Sequence, residues 1–373
     1  MTPLDAESKS IIEDTLLRFV EERYHPAQRR KRLKPPIDYR LNWATLADLG
    51  VLGMPFDEAL GGLGGCSLDV ADAVRVLAKG LILEPFVQGA VIAGTVFSAS
   101  TDTARRDAVV GEVIAGENIT VVIGGRPGSY ESLQADKTTT GWRLNGKVRA
   151  AVFAAEADNW LIVARQTSNN KPVILYAPRS TINATIQQFR LMDGRSASDV
   201  KFADVDLAAN TMWLIDDAAS VAVESAYLHS INAFCADAVG CMEQLLAITG
   251  EYLKTRVQFG VMIGSFQALQ HRFADMHMLY MEARAISRSL AVCLDGGTLS
   301  EQRWRAFSSF SVVRSAGTKI GHEAMQMHGG MGMTEELIVS HYNYRLVTLG
   351  RMLRNAVSHD ITPPALATAR EWI

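Results

Sequence analysis

Apolar residues in this chain change their spacing twice. From Ser8 to about Thr101 they recur at helical intervals: Ile11, Leu16, Leu17, Phe19 and Val20 share one helix face, and Leu46, Leu49 and Leu52 close a second helix. The run Leu60-Gly-Gly-Leu-Gly-Gly65 predicts a loop, because glycine at that density has no reason to stay helical. A third helix is expected over roughly Leu68 to Gly80, and a fourth after Glu84-Pro85. Near Asn118 the pattern turns to short β-rich runs. These are Ile119 to Ile123, Trp142 to Leu144, Val148 to Phe153, Trp160 to Val163 and Val173 to Tyr176. Gly-Gly-Arg-Pro-Gly-Ser, Leu144-Asn-Gly146 and Ser168-Asn-Asn170 divide them. Helical spacing returns after Trp213, and Phe266, Leu269, Phe273, Met276, Tyr280 and Ala283 mark an interior helix seam.

The expected fold is therefore mainly α with a central β-domain. Residues 1–117 form an N-terminal helical domain, 118–211 a middle β-barrel or sandwich, and 212–373 a C-terminal helical bundle. A chain of 373 residues exceeds the usual single core, in keeping with that division. No internal repeat or low-complexity tract competes with it.

Charge narrows the possible partners. With 37 Lys and Arg against 40 Asp and Glu, the net charge of -3 offers no global attraction for nucleic acid or anionic lipid. Arg29-Arg-Lys-Arg32 is the one basic run, expected at a solvated helix end or loop. Four scattered cysteines, Cys66, Cys235, Cys241 and Cys293, make neither a disulfide framework nor a metal site and are read as reduced and structural. The start lacks a leader-like pattern and no uninterrupted apolar stretch approaches the ~18 residues of a membrane span, so a cytoplasmic protein is expected.

Three ordered motifs carry chemistry. Leu46-Ala-Asp-Leu-Gly-Val-Leu-Gly-Met-Pro55, continued by Gly61-Gly-Leu-Gly-Gly65, reads as a helix ending in glycine before a glycine-rich turn. Arg256-Val-Gln-Phe259-Gly260 is followed by Gln267 and Ala274-Asp-Met276. Gln326-Met-His-Gly329-Gly330-Met-Gly332 precedes Thr334-Glu335. A guanidinium can pair bidentately with a diphosphate, an aromatic ring can cover an adenine or ribose face, and paired glycines let backbone N–H groups reach phosphate oxygens. The plainer alternatives are a surface ion pair for Arg256 and a helix cap for Gly329-Gly330.

Together these motifs resemble those of the acyl-CoA dehydrogenase family, and the likeness spans most of the chain. The resemblance implies that Arg256, Phe259, Gln267, Gln326, Gly329 and Gly330 hold the adenosine diphosphate half of FAD, for a flavin seated in the neighbouring subunit. It also implies an acyl-CoA thioester as substrate.

Two departures from the family pattern matter. Where such proteins seat the flavin ring, this chain reads Val122-Ile-Gly-Gly-Arg-Pro-Gly-Ser129 and Val148-Arg-Ala-Ala-Val-Phe153, without the usual threonine, acidic residue and tryptophan. Removing an α-proton from a thioester needs a carboxylate in a desolvated cleft. Its two familiar positions correspond here to Met352 to Arg354 and to Ser230, and no Asp or Glu lies between Glu336 and Asp360 or between Glu224 and Asp237. His229 is the one nearby substitute, and a structural histidine is the simpler reading. No catalytic residue is assigned. The pattern resembles the small subunits of two-gene acyl-CoA dehydrogenases, such as those acting on pimeloyl-CoA or on steroid side-chain thioesters, which implies a hetero-oligomer with a paralogous chain. A self-sufficient homo-oligomeric flavoenzyme with a relocated base, or a non-catalytic scaffold or thioester-binding subunit, are the alternatives.

Overall fold

Asp5 starts the first helix by accepting a hydrogen bond from the Ser8 amide in the computed structural model, which describes residues 3–124 and 133–352. The N-terminal helices are α1 (Ala6–Arg23), α2 (Arg29–Arg32), α3 (Trp43–Asp48), α4 (Ser67–Lys79), α5 (Gly94–Ser98) and α6 (Thr103–Ile114), with a π-helical turn over Val87–Ala93 leading into α5. Leu16, Phe19 and Val20 bury the inner face of α1, whereas Ile11 points to solvent, one position off that face. The second apolar triplet does not lie in one helix. α3 ends at Asp48, Gly50 turns the chain at φ +73°, and Leu52 is buried from the 3-10 turn that follows. The glycine-rich segment after Leu60 is a loop, as expected.

The strands are β1 (Thr120–Gly124), β2 (Gln134–Lys137), β3 (Gly141–Val152), β4 (Asn159–Gln166), β5 (Pro172–Pro178), β6 (Thr185–Arg190), β7 (Ser196–Ala208) and β8 (Met212–Ile215). They form one sheet in the order β6-β7-β3-β2-β4-β5-β8, with β1 parallel to β4 and continuing the edge that β2 begins. Two of the expected runs, Trp142 to Leu144 and Val148 to Phe153, are a single strand. Leu144-Asn-Gly146 is an irregularity within β3 rather than a turn. The segment Gly125-Arg-Pro-Gly-Ser129 lies outside the described residues.

The remainder is helical: α7 (Asp216–Thr255), the hairpin strands β9 (Val257–Gln258) and β10 (Val261–Met262), then α8 (Gln267–Gly296), α9 (Leu299–Met327) and α10 (Ile338–Met352). At 1.5 Å per residue, the 40 residues of α7 run for about 60 Å, from the last strand of the sheet to the hairpin. By length and composition α7 could cross a membrane, yet 78% of its most apolar window is buried inside the protein, which makes it a core helix. It approaches α4 so closely that a Cβ on Gly240 would fall 2.1 Å from the Arg75 carbonyl oxygen. The predicted seam of α8 is fully interior from Met276 onward. Phe266 is the residue before the helix and is exposed, and Leu269 and Phe273 are half-buried. The four cysteines are buried free thiols.

One expectation fails at the residue that opens the basic run. Arg30 and Lys31 face solvent, but Arg29 is 4% exposed and donates to the carbonyl oxygens of Leu81 (2.5 Å) and Asp193 (2.7 Å). It belongs to a buried ion cluster that joins the helices to the sheet. Arg345 of α10 reaches Asp193 at 3.0 Å and Asp237 of α7 at 3.3 Å, and Arg195 reaches Asp193 at 2.6 Å. Burial and the neighbouring Arg345 draw the Arg29 guanidinium down to about 10. Burial alone would raise the Asp193 carboxyl, but Arg195 and Arg345 outweigh it and hold it below the usual carboxylate range.

Candidate functional site

The end of α7 is where the chain turns its polar chemistry outward. Arg256 follows the helix directly, its amide bonded to the Tyr252 carbonyl at 2.9 Å, and Ile263 N–H closes the hairpin onto the Arg256 carbonyl at 2.9 Å. Between β9 and β10 the turn is Phe259-Gly260, with φ of +56° and +80°. Positive φ at both central residues is the geometry that matches strand twist in a two-residue hairpin. Glycine adopts it freely; a phenylalanine does so at a cost. Little among the described residues offsets that cost, since the Phe259 ring is 90% exposed and meets Phe266 only edge-on at 6.2 Å. A strained, exposed aromatic is the kind of outlier that function maintains.

The other candidate residues are equally unattached. Arg256 is exposed and pairs with no carboxylate among the described residues, so the surface ion-pair alternative finds no support. Gln267 opens α8 and Gln326 stands in the last turn of α9, both exposed. Gly329 has a φ of +63° and so fits a helix cap, but Gly330 does not need to be glycine for the fold: a Cβ there would meet nothing within 4 Å. The two motifs meet through their neighbours. Tyr252, on the final turn of α7, stacks on His328 at 4.3 Å between ring centroids. One end of the bundle thus presents an unpaired guanidinium, an open glycine backbone and a bare aromatic ring, a set suited to a diphosphate carrying an aromatic base.

At the two positions where the family resemblance would place a proton-abstracting carboxylate the sequence has none, and the described residues Ser230 and Met352 are held by contacts of their own. Ser230 is buried in α7 and donates to the Tyr227 carbonyl at 2.6 Å. The carboxylates flanking it are both engaged, Glu224 with Arg303 at 2.7 Å and Asp237 with Arg345. Met352 Sδ lies 3.5 Å from an Arg195 nitrogen; Leu353 and Arg354 lie outside the described residues. His229 Nδ1 is 2.9 Å from the Ser225 carbonyl oxygen, and Nε2 is 3.5 Å from Ser67 Oγ, which itself donates to Asp295 at 2.8 Å. Burial lowers the His229 pKa. These are the contacts of a histidine that helps seat the start of α4, not of a base facing a cleft.

Sequence reading missed Asp193, Arg195 and Arg345 as a linked group, because ion pairs across 150 residues of chain leave no local spacing. It also passed over Tyr252 and His328, which look like ordinary aromatic positions until the two helix ends are superposed in space.

Comparison with known proteins agrees with this architecture. The chain is 25% identical over 333 residues to acyl-CoA dehydrogenase IpdE2 of Mycolicibacterium smegmatis, covering 89% of each protein. Among solved structures it resembles one in the ChsE4-ChsE5 complex from Mycobacterium tuberculosis, with a TM-score of 0.85, 22% identity and coverage of 100% of this chain and 99% of that one. A second is a variant of the Tcur3481-Tcur3483 steroid ACAD, with a TM-score of 0.80, 20% identity and 94% coverage of both chains. Residues 6–117 match the acyl-CoA dehydrogenase N-terminal domain and residues 227–353 the acyl-CoA dehydrogenase C-terminal domain. Since these matches take in well over half of its length, the chain belongs to the acyl-CoA dehydrogenase family of FAD-dependent oxidoreductases.

Proposed function

We propose that this chain is the non-canonical subunit of a heteromeric acyl-CoA dehydrogenase, contributing the adenosine-diphosphate side of an FAD site to a paralogous partner that carries the catalytic glutamate and the flavin-ring pocket. One asymmetry carries the reading. Arg256, Gln267, Gln326, Gly329 and Gly330 face outward without a side-chain partner among the described residues and Phe259 meets only Phe266, while neither position that the family resemblance gives the base holds a carboxylate.

In this reading Arg256 pairs with the diphosphate, Gly329 and Gly330 admit it close to the backbone, Phe259 covers the adenosine and the two glutamines add hydrogen bonds. FAD supplies the hydride acceptor when bound. The chain's own residues do not take the α-proton of the thioester; that step falls to the partner's carboxylate. Two of the similar structures, the ChsE4-ChsE5 complex and the Tcur3481-Tcur3483 steroid ACAD, each bear two protein names, which supports a pairing of two chains here.

Flavin counting tests the proposal. Expressed alone, the chain should carry well under one FAD per polypeptide; co-expressed with a paralogous acyl-CoA dehydrogenase subunit, it should purify in a yellow complex. Stoichiometric FAD in a homo-oligomer of this chain alone would sink the heteromer reading in favour of a self-sufficient enzyme.

A further inference from the structure

His328 stands between the two halves of the proposed clamp and has no role in the reading so far. It is 3% exposed, its ring stacks on Tyr252 with 27° between planes, and its Nδ1 lies 2.8 Å from the Ala324 carbonyl oxygen. A carbonyl can only accept, so Nδ1 carries the proton. Nε2 is buried without a hydrogen-bond partner among the described residues, which fits a neutral ring with a bare lone pair. Burial acts in the same sense by lowering the pKa.

The stack has an anchor on each side. Tyr252 is the residue whose carbonyl receives the Arg256 amide, so the ring that meets His328 belongs to the turn from which the guanidinium departs. His328 itself lies between Gln326 and Gly329, and the turn folds tightly around it. A Cβ on Gly332 would come 3.1 Å from His328 Cβ and 2.4 Å from the Met325 carbonyl oxygen. The imidazole thus projects from a tightly folded turn onto the ring at the base of the hairpin.

Resting on the clamp reading above, we propose that His328 is a positioning residue: its stack on Tyr252 sets the spacing between the Arg256 hairpin and the Gly329-Gly330 turn, so that both halves engage one dinucleotide. It need not touch the ligand. The contact joins the end of α7 to the end of α9, and without it each half keeps its chemistry and loses its register with the other.

The test is a double-mutant cycle on the assembled complex, read by FAD dissociation constant and melting temperature. His328→Ala should weaken FAD by about tenfold or more, and His328→Phe, which keeps a ring for Tyr252, should restore most of it. In an Arg256→Ala background the same His328→Ala change should cost less than about threefold, because the guanidinium it positions is gone. Additive losses, or a fall in melting temperature with FAD affinity unchanged, would overturn the positioning role. If Arg256→Ala alone leaves FAD affinity intact, the clamp reading fails first and the positioning role with it. Should His328→Ala not assemble, Tyr252→Leu removes the stack from the other side and is judged by the same criteria.

Discussion

Gly330 and Gly332 stand two residues apart and are glycine for opposite reasons. A Cβ on Gly332 would strike the Met325 carbonyl, whereas one on Gly330 would project into open space. Gly332→Ala should therefore lower the unfolding free energy by about 1–3 kcal/mol, while Gly330→Ala should leave the melting temperature alone and reduce flavin retention in the complex. Arg256→Ala removes a charge-assisted contact worth about 1.5–3 kcal/mol, a tenfold or larger loss in FAD affinity, again without a stability change. Phe259→Asn goes further. Asparagine tolerates the positive φ that phenylalanine resists, so thermal stability should hold or rise by up to about 1 kcal/mol while flavin retention falls. A drop in melting temperature together with intact flavin would show that these side chains serve the fold. At this scale it was the resemblance of two motifs to a known family, not composition or periodicity, that pointed to Arg256, Phe259 and the glycine pair. The charge pattern misplaced Arg29 in solvent, because that residue's burial depends on carbonyls 52 and 164 residues away.

Elements were legible where apolar residues mark one face. α4 emerged within a residue or two of its bounds, and the strand cores of β1, β4 and β5 were all found. β6 was missed because nearly all of its side chains are exposed, so no alternation exists to detect; in β7 the buried positions include Ser196 and Ser198, which blur the apolar alternation. Assembly of the elements depends on the buried ion cluster. Arg345→Met would leave Asp193 and Asp237 short of a counter-charge, and the expected loss is about 3–5 kcal/mol by urea denaturation. The pH dependence has a definite sign. Asp193 titrates below its unfolded value, so its contribution is present at neutral pH and is lost as pH falls through the folded pKa. Removing Arg345 relieves that depression and should move acid unfolding to higher pH. An unshifted acid midpoint would indicate that Arg195 alone holds the carboxylate.

For the whole molecule, the proposed lack of a base is not a one-residue deficit. A glutamate at Met352 would stand beside Arg195, which would pair with it and lower its pKa, the wrong direction for a group that must take a proton. Met352→Glu should thus give no turnover above the parent when dehydrogenation by the complex is followed with an artificial electron acceptor. His229→Ala and Glu336→Gln should leave turnover within a few-fold, whereas loss of a true general base costs about 10² to 10⁴-fold. The open face at the end of the bundle also bears on heredity. Positions with little or no packing among the described residues are nearly invisible to selection for folding, so alleles altered at Arg256, Phe259 or Gly330 would express well and pass any screen for solubility. Under the two-chain proposal, their defect would surface only when the partner gene is present and growth depends on the joint product. Compensating changes would then arise in the other gene, and the natural history of this surface would be written in two loci at once.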